Sequence, residues 1–131
     1  MKQSIIGREP QVLIVDDDPR YLELLQFALE SEGFRVVTAL DPRQVQGLAV
    51  SCQPDVIISD IAMPEMDGFD VAAGLRTDAR TADIPVVFLS ARGMESDRFD
   101  GLRSGAADYV TKPFSTTELI DKIRSVMKEV P

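Results

Sequence analysis

Five short runs of apolar, mostly β-branched residues recur along this 131-residue chain, and they constrain its fold more than any other feature. Three of the runs lack alternation between apolar and polar residues, which predicts strands that are covered on both faces. The second run alternates more, so we expect it at an edge of the sheet. The predicted strands are residues 11–15, 34–38, 55–59, 85–90 and 108–111.

Between these runs the apolar residues follow a helical spacing, so each intervening segment has one apolar stripe. Strands that alternate with helices favour a parallel sheet, because parallel strands need long crossover connections. We therefore predict an α/β fold, a doubly wound (βα)5 sandwich with a five-stranded parallel sheet and helices on both faces. The stripes include Tyr21 and Leu25, then Leu48, Val71, Leu102 and Ile123.

Short polar signals mark where helices begin. Asp18 followed by Pro19 predicts a helix N-cap, and Asp41 followed by Pro42 repeats this opening signal. Ser115, with a glutamate three residues later, predicts a capping box at the start of the last helix.

Composition excludes several classes of function. The 22 acidic and 14 basic residues give a formal charge of −8, which disfavours direct contact with nucleic acids or anionic membranes. Because the chain has no histidine, it cannot build a Ser-His-Asp triad or a histidine-ligated metal site. Cys52 is the single cysteine, so no internal disulfide can form, and no signal-peptide core is present near the N-terminus.

We expect a cytoplasmic chain with a polar arm over residues 1–9 and one domain over residues 10–131.

Polar side chains collect at the carboxyl ends of four predicted strands. Asp16 and Asp17 follow the first strand, Asp60 the third, Ser90 ends the fourth, and Lys112 follows the fifth. Ligands of open α/β sheets bind at this edge. Crowded carboxylates repel one another unless a cation joins them, and oxygen ligands without imidazole or thiolate favour Mg²⁺. A phosphate group would suit both the metal and the lysine, and Asp60 is the candidate nucleophile.

Four motifs in this order resemble those of receiver (CheY-like) domains of two-component response regulators. The resemblance covers about residues 10–129 and implies strand order 2-1-3-4-5. It also implies a signalling switch rather than an enzyme, in which a sensor histidine kinase or phosphotransfer protein phosphorylates the domain and the domain controls an output domain or partner. The motifs are VDDDP at 15–19, SDIAMPEMDG at 59–68, LSA at 89–91 and DYVTKPF at 108–114.

The resemblance also assigns roles at the metal and phosphoryl site. It makes Asp60 the phosphoacceptor and makes Asp16, Asp17 and Asp60 ligands of Mg²⁺, directly or through water. The backbone carbonyl of Ala62 would be a further metal ligand. From the residues alone we expect Asp16 and Asp17 to be buried and functional, because a buried unpaired carboxylate is costly. We interpret Asp18 as a cap rather than a third ligand of this pair.

Three further positions match the switch residues of the family. Ser90 stands where the family has the serine or threonine that turns toward the phosphoryl group. Lys112, which precedes a cis peptide in the family, would pair with that group. Tyr109 matches the aromatic residue that reorients when Ser90 moves, although packing alone would also explain a tyrosine there.

Charged residues near the last strand suggest a dimer face. Arg98 on the predicted fourth helix, Asp108 at the fifth strand, and Glu118 and Lys122 on the fifth helix form two pairs of opposite sign. They resemble positions used for intersubunit salt bridges in receivers of winged-helix transcription factors. Pairing within one chain is the alternative.

Two other functions stay open at this point. A Mg²⁺-dependent phosphohydrolase of the haloacid-dehalogenase type would also use an aspartyl phosphate. Those enzymes carry the nucleophile after the first strand and an inserted cap, for which 131 residues leave no room. A degenerate receiver that only docks partners is the other alternative, and the intact Asp17, Asp60 and Lys112 argue against it.

Overall fold

A computed structural model describes residues 9–90 and 108–127. Their strands form one parallel sheet in the order β2-β1-β3-β4-β5. This confirms the predicted fold class and strand order, and β2 lies at an edge as expected. The strands are β1 Gln11–Val15, β2 Arg35–Ala39, β3 Val56–Asp60, β4 Val86–Ser90 and β5 Asp108–Thr111.

The described helices cover both faces of this sheet. They are α1 Pro19–Ser31, α2 Val45–Cys52, α3 Gly68–Arg76 and α4 Thr116–Met127, and we refer to α4 as the C-terminal helix. It is the fifth helix of the sequence prediction. The predicted fourth helix, which includes Arg98, falls within residues 91–107 and lies outside the described residues.

Hydrogen bonds from capping side chains determine the residues at which two helices begin. Asp18 caps α1 by accepting a hydrogen bond from the backbone N–H of Arg20 at 3.0 Å, as predicted. The predicted capping box of Ser115 is also present, because the N–H of Glu118 donates to the Ser115 hydroxyl at 3.1 Å and the Ser115 N–H donates to the Glu118 carboxylate at 3.3 Å.

Asp41 does not open an α-helix directly, in contrast to the prediction. It caps a 3₁₀ turn over Pro42–Gln44, and α2 begins only at Val45. The Gln44 N–H donates to the Asp41 carbonyl at 3.0 Å, and this three-residue spacing makes the first turn tight.

Two apolar cores lie on opposite faces of the sheet, because successive residues of a strand point in opposite directions. Val12, Ile14 and their equivalents in the other strands pack against α1 and the C-terminal helix. Leu13 and Val15 belong to the other core, with α2 and α3. The central strands β1, β3 and β4 are buried on both sides. Because these strands are parallel, their carboxyl ends, which carry the polar residues, meet at one edge of the sheet.

Within the described ranges, the helices are all too short or too polar to cross a lipid bilayer.

Candidate functional site

Three carboxylates meet at the carboxyl edge of the sheet. β1 and β3 are neighbours, and Val15 pairs with Ser59, so the residues that follow these two lie side by side. Asp16, Asp17 and Asp60 each place a carboxylate oxygen within 4.8 Å of the others. The structure therefore brings together the acidic residues that the sequence predicts to form a cluster.

Asp16 is the buried member of this cluster, with 2% of its surface exposed. Its Oδ1 accepts a hydrogen bond from the backbone N–H of Asp18 at 2.9 Å. Its Oδ2 is buried and has no hydrogen-bond partner in the described part of the chain. Burial raises the pKa of Asp16 to about 6, and the negative charges of Asp60 and Asp17 act in the same direction, whereas the Asp18 N–H and the Lys112 ammonium oppose them.

Asp17 is exposed, so the expectation that both members of the acidic pair are buried is wrong. The chain leaves the sheet at this point to enter the N-cap of α1 at Asp18. One side of the cluster is therefore open to solvent. A cation held there can keep bound water, as Mg²⁺ commonly does in proteins.

Asp60 has partners for both carboxylate oxygens. The ammonium Nζ of Lys112 lies 3.4 Å from Oδ2. The backbone N–H of Ala62 donates to Oδ1 at 3.3 Å. The side chains of Lys112 and Asp60 are 33% and 16% exposed, so this pair is partly screened by water. At 3.4 Å this contact is longer than a short charge-assisted hydrogen bond.

Ser90 and Tyr109 lie on neighbouring strands near the same edge. Ser90 is buried and pairs in register with Thr111, and its carbonyl accepts a hydrogen bond from the Lys112 N–H at 2.7 Å. Tyr109 is partly buried and packs against the core formed with α2 and α3. The main chain thus ties Ser90 to Lys112, while the switch roles of Ser90 and Tyr109 stay predictions.

Gly68 ends the SDIAMPEMDG motif, but the sequence analysis assigned it no role at the site. A Cβ atom at this position would lie 2.6 Å from the Asp60 carbonyl oxygen and 3.0 Å from the Ile61 Cα. The Gly68 N–H donates to the Ile61 carbonyl at 2.9 Å. Because the residue has no side chain, the start of α3 packs directly on the backbone that carries Asp60. The available signal was the glycine that follows Asp67, the N-cap of α3.

Tyr21 is the second missed residue, since the sequence analysis placed it only in an apolar stripe. Its ring centroid lies 4.6 Å from the Lys112 Nζ. Burial raises the pKa of Tyr21 to about 12, and the charges of Asp16 and Asp60 add to this effect. Its position in the first turn of the helix that follows the acidic pair was the only sequence signal.

The predicted dimer face is only partly described. Lys122 Nζ lies 3.2 Å from Asp108 Oδ2 within one chain, and the Glu118 carboxylate takes part in the capping box. Arg98 lies outside the described residues. Two of the four predicted dimer-face residues, Asp108 and Lys122, are therefore paired within one chain, as the alternative expects.

Comparisons with known proteins relate this chain to one family. The profile described as "Response regulator receiver domain" matches residues 12–124. The DNA-binding dual master transcriptional regulator RpaA of Synechocystis sp. is 45% identical over 119 residues, which are 91% of this chain and 49% of RpaA. The chain spans about half the length of the curated relatives it matches.

Solved structures show the same architecture. Chemotaxis protein CheY4 of Vibrio cholerae superposes with a TM-score of 0.84 at 30% identity, covering 90% of this chain and 98% of that one. The receiver domain of sensor histidine kinase PA1611 from Pseudomonas aeruginosa has a TM-score of 0.83 at 28% identity, covering 91% and 98% of the two chains. That structure has a magnesium ion coordinated in its active site cleft.

Proposed function

Because this chain belongs to the response regulator receiver domain family, we propose that Asp60 is the residue on which it accepts a phosphoryl group. Receiver domains are signalling modules of two-component systems and interact with sensor histidine kinases. The observation that carries the assignment is the position of Asp60. Its Oδ2 faces the Lys112 ammonium at 3.4 Å, and the carboxylates of Asp16 and Asp17 stand beside it.

We propose that Asp16, Asp17 and Asp60 hold Mg²⁺ together with the backbone carbonyl of Ala62. The donor set fits, because all of these ligands are oxygens and Mg²⁺ prefers oxygen. The buried Oδ2 of Asp16, which has no partner among the described residues, gives independent support. When bound, Mg²⁺ supplies positive charge that offsets the negative charge of phosphoryl oxygens.

The chain's own residues account for the transfer. A carboxylate oxygen of Asp60 forms a bond to phosphorus, the bond between phosphorus and the donor's histidine nitrogen breaks, and the nitrogen keeps the electron pair. The Lys112 ammonium lies close enough to Asp60 to stabilise the oxygens of the arriving group. The added charge and acceptors would draw the Ser90 hydroxyl toward the site and let Tyr109 reorient.

Labelling with a small phosphodonor tests this assignment. Incubation of the full chain with acetyl phosphate and Mg²⁺ should add one phosphoryl group by intact-mass spectrometry, and Asp60→Asn should abolish the addition. Asp121→Asn, which removes a carboxylate of the C-terminal helix, is the matched control and should be labelled like the unmodified chain. Equal labelling of Asp60→Asn would overturn the assignment.

We also propose that the domain works as a switch and does not turn over small phosphoesters, apart from slow loss of its own phosphoryl group. Sustained Mg²⁺-dependent hydrolysis of p-nitrophenyl phosphate, lost in Asp60→Asn, would instead favour the phosphohydrolase alternative. An absence of both labelling and hydrolysis would favour the docking module.

The proposed receiver domain covers residues 10–131, with residues 1–9 as a preceding arm. The match to the family over residues 12–124 supports this extent. RpaA, whose name describes a DNA-binding transcriptional regulator, supports an output in transcription control. We therefore propose that phosphorylation of this domain regulates a DNA-binding partner or output domain.

A dimer through the predicted fourth helix, β5 and the C-terminal helix is a further part of the proposal. A cavity of about 470 Å³ lies between β5 and the C-terminal helix, and charged residues line it. The Lys122–Asp108 pair is partly exposed, so exchanging it for a pair between chains changes the free energy by only about 0 to 1 kcal/mol. Sedimentation with and without beryllofluoride should show a dimer only with the phosphoryl mimic, and Lys122→Glu should weaken that dimer. A monomer under both conditions at high concentration would contradict this part.

A further inference from the structure

The Lys112 ammonium lies between two groups that come from distant parts of the chain. The Asp60 Oδ2 is 3.4 Å from its Nζ, and the centroid of the Tyr21 ring is 4.6 Å from the same atom. From this geometry we propose that Tyr21 is a positioning residue, whose ring holds the Lys112 ammonium at the phosphoacceptor. The inference rests on the proposed role of Asp60.

Lys112 needs such support because its side chain is long and one-third exposed. A lysine ammonium sits on a flexible four-carbon stem, and fixing it costs up to about 2 kcal/mol of side-chain entropy. The contact with Asp60, at 3.4 Å, is not short enough to fix the stem by itself. A second attractive group reduces the number of positions that the ammonium can occupy.

The Tyr21 ring is a rigid platform for this purpose. It lies in the first turn of α1, three residues after the Asp18 cap, and it packs against the apolar core on that face of the sheet. The next residue, Leu22, is buried in the same core. The face of an aromatic ring is electron-rich and attracts cations within about 6 Å of its centroid. The contact therefore depends on the ring and not on the phenol hydroxyl.

The Tyr21 ring also continues to attract the Lys112 ammonium when the charge on Asp60 changes. Forming a bond from an Asp60 oxygen to phosphorus neutralises the carboxylate that held the ammonium beforehand. The quadrupole of the Tyr21 ring is unaffected by that step, so Lys112 stays beside the oxygens that have just arrived. Tyr21 thereby acts on phosphoryl transfer through Lys112.

Two substitutions separate the ring from the hydroxyl. Tyr21→Leu keeps an apolar side chain against the core but removes the aromatic face, and we expect it to slow labelling by acetyl phosphate about three- to tenfold at saturating Mg²⁺. The conservative variant Tyr21→Phe keeps the ring and should restore the rate to within about twofold of the unmodified chain. Circular dichroism and urea unfolding verify that both variants are folded under the assay conditions.

A double-mutant cycle distinguishes positioning from a structural role. In a Lys112→Met background the ring has no ammonium to hold, so Tyr21→Leu should cause no further loss of rate. A structural role would give the same fold-loss in both backgrounds. The NMR order parameter of the Lys112 Cε–H₂ group supplies a second measurement, which does not require labelling of the Lys112→Met chain. It should fall in Tyr21→Leu and be retained in Tyr21→Phe.

The outcomes separate this inference from the proposed function. If the unmodified chain is not labelled at Asp60, the proposed function fails. If it is labelled but Tyr21→Leu matches it in rate, or leaves the mobility of Lys112 unchanged, the positioning role is wrong. Equal losses in the two Lys112 backgrounds would also overturn it.

Discussion

Replacing Asp16 by asparagine isolates the cost of keeping a carboxylate charge at the buried end of β1. Asparagine has nearly the same shape, and its Oδ1 can still accept the hydrogen bond that the Asp18 N–H donates at 2.9 Å. The substitution removes the charge from a residue that is 2% exposed. We expect Asp16→Asn to stabilise the metal-free chain at neutral and alkaline pH.

The magnitude follows from the pKa of Asp16, which burial raises from 3.8 to about 6. Between these values the folded chain binds more protons than the unfolded chain, so the free energy of unfolding falls as pH rises from about 4 to about 6. At about 1.4 kcal/mol per pKa unit, the charge on Asp16 lowers the free energy of unfolding of the unmodified chain by about 3 kcal/mol above pH 6. The new amide group lies where Oδ2 has no hydrogen-bond partner among the described residues. Burying this group unpaired reduces the gain in stability by about 1 kcal/mol. Asp16→Asn should therefore be about 2 kcal/mol more stable than the unmodified chain above about pH 7.

Urea unfolding in chelator across pH 4 to 8 measures this difference. The advantage of Asp16→Asn should shrink as the pH falls and disappear between about pH 4 and 5, where the folded chain already holds Asp16 neutral and the remaining charge effect no longer exceeds the cost of the unpaired amide. Adding Mg²⁺ at pH 8 should stabilise the unmodified chain more than the variant. A difference that does not vary with pH, or a less stable variant at pH 8 without metal, would refute the reasoning.

Three other substitutions test separate parts of the site. Asp17→Ala should lower Mg²⁺ affinity at least tenfold, measured by titration, and leave stability without metal unchanged or higher, because it removes a charge that repels Asp16. Asp18→Ala should lower the free energy of unfolding by about 1 kcal/mol in urea, because α1 loses its cap, and should leave Mg²⁺ binding intact. If Asp18→Ala instead weakened Mg²⁺ binding and Asp17→Ala destabilised the chain, the capping and metal-binding roles would be exchanged between these residues. Gly68→Ala should cost about 1 to 3 kcal/mol and slow phosphoryl labelling, because its Cβ would lie 2.6 Å from the Asp60 carbonyl oxygen. Unfolding and labelling that match the unmodified chain would show that the loop yields without effect on the site.

The features that sequence analysis predicts correctly are those with a local or periodic cause. Uninterrupted β-branched runs identify the three buried strands, and the capping box of Ser115 needs only residues close in sequence. The acidic cluster was predictable because the ends of parallel strands share one edge. The exposure of Asp17 was not, since it depends on the path that the chain takes into α1. The contact between Tyr21 and Lys112 joins side chains from α1 and the segment after β5, and no local pattern specifies it.

The positions of the site residues along the chain determine when each half of the site appears during synthesis. Asp16 and Asp60 meet when β1 pairs with β3, whereas Lys112 arrives with β5, an edge strand that pairs only with β4 in the described sheet. Lys112 is 52 positions after Asp60, so at ordinary elongation rates it leaves the ribosome roughly 3 to 10 seconds later. During that interval the nascent chain carries the carboxylates without their lysine.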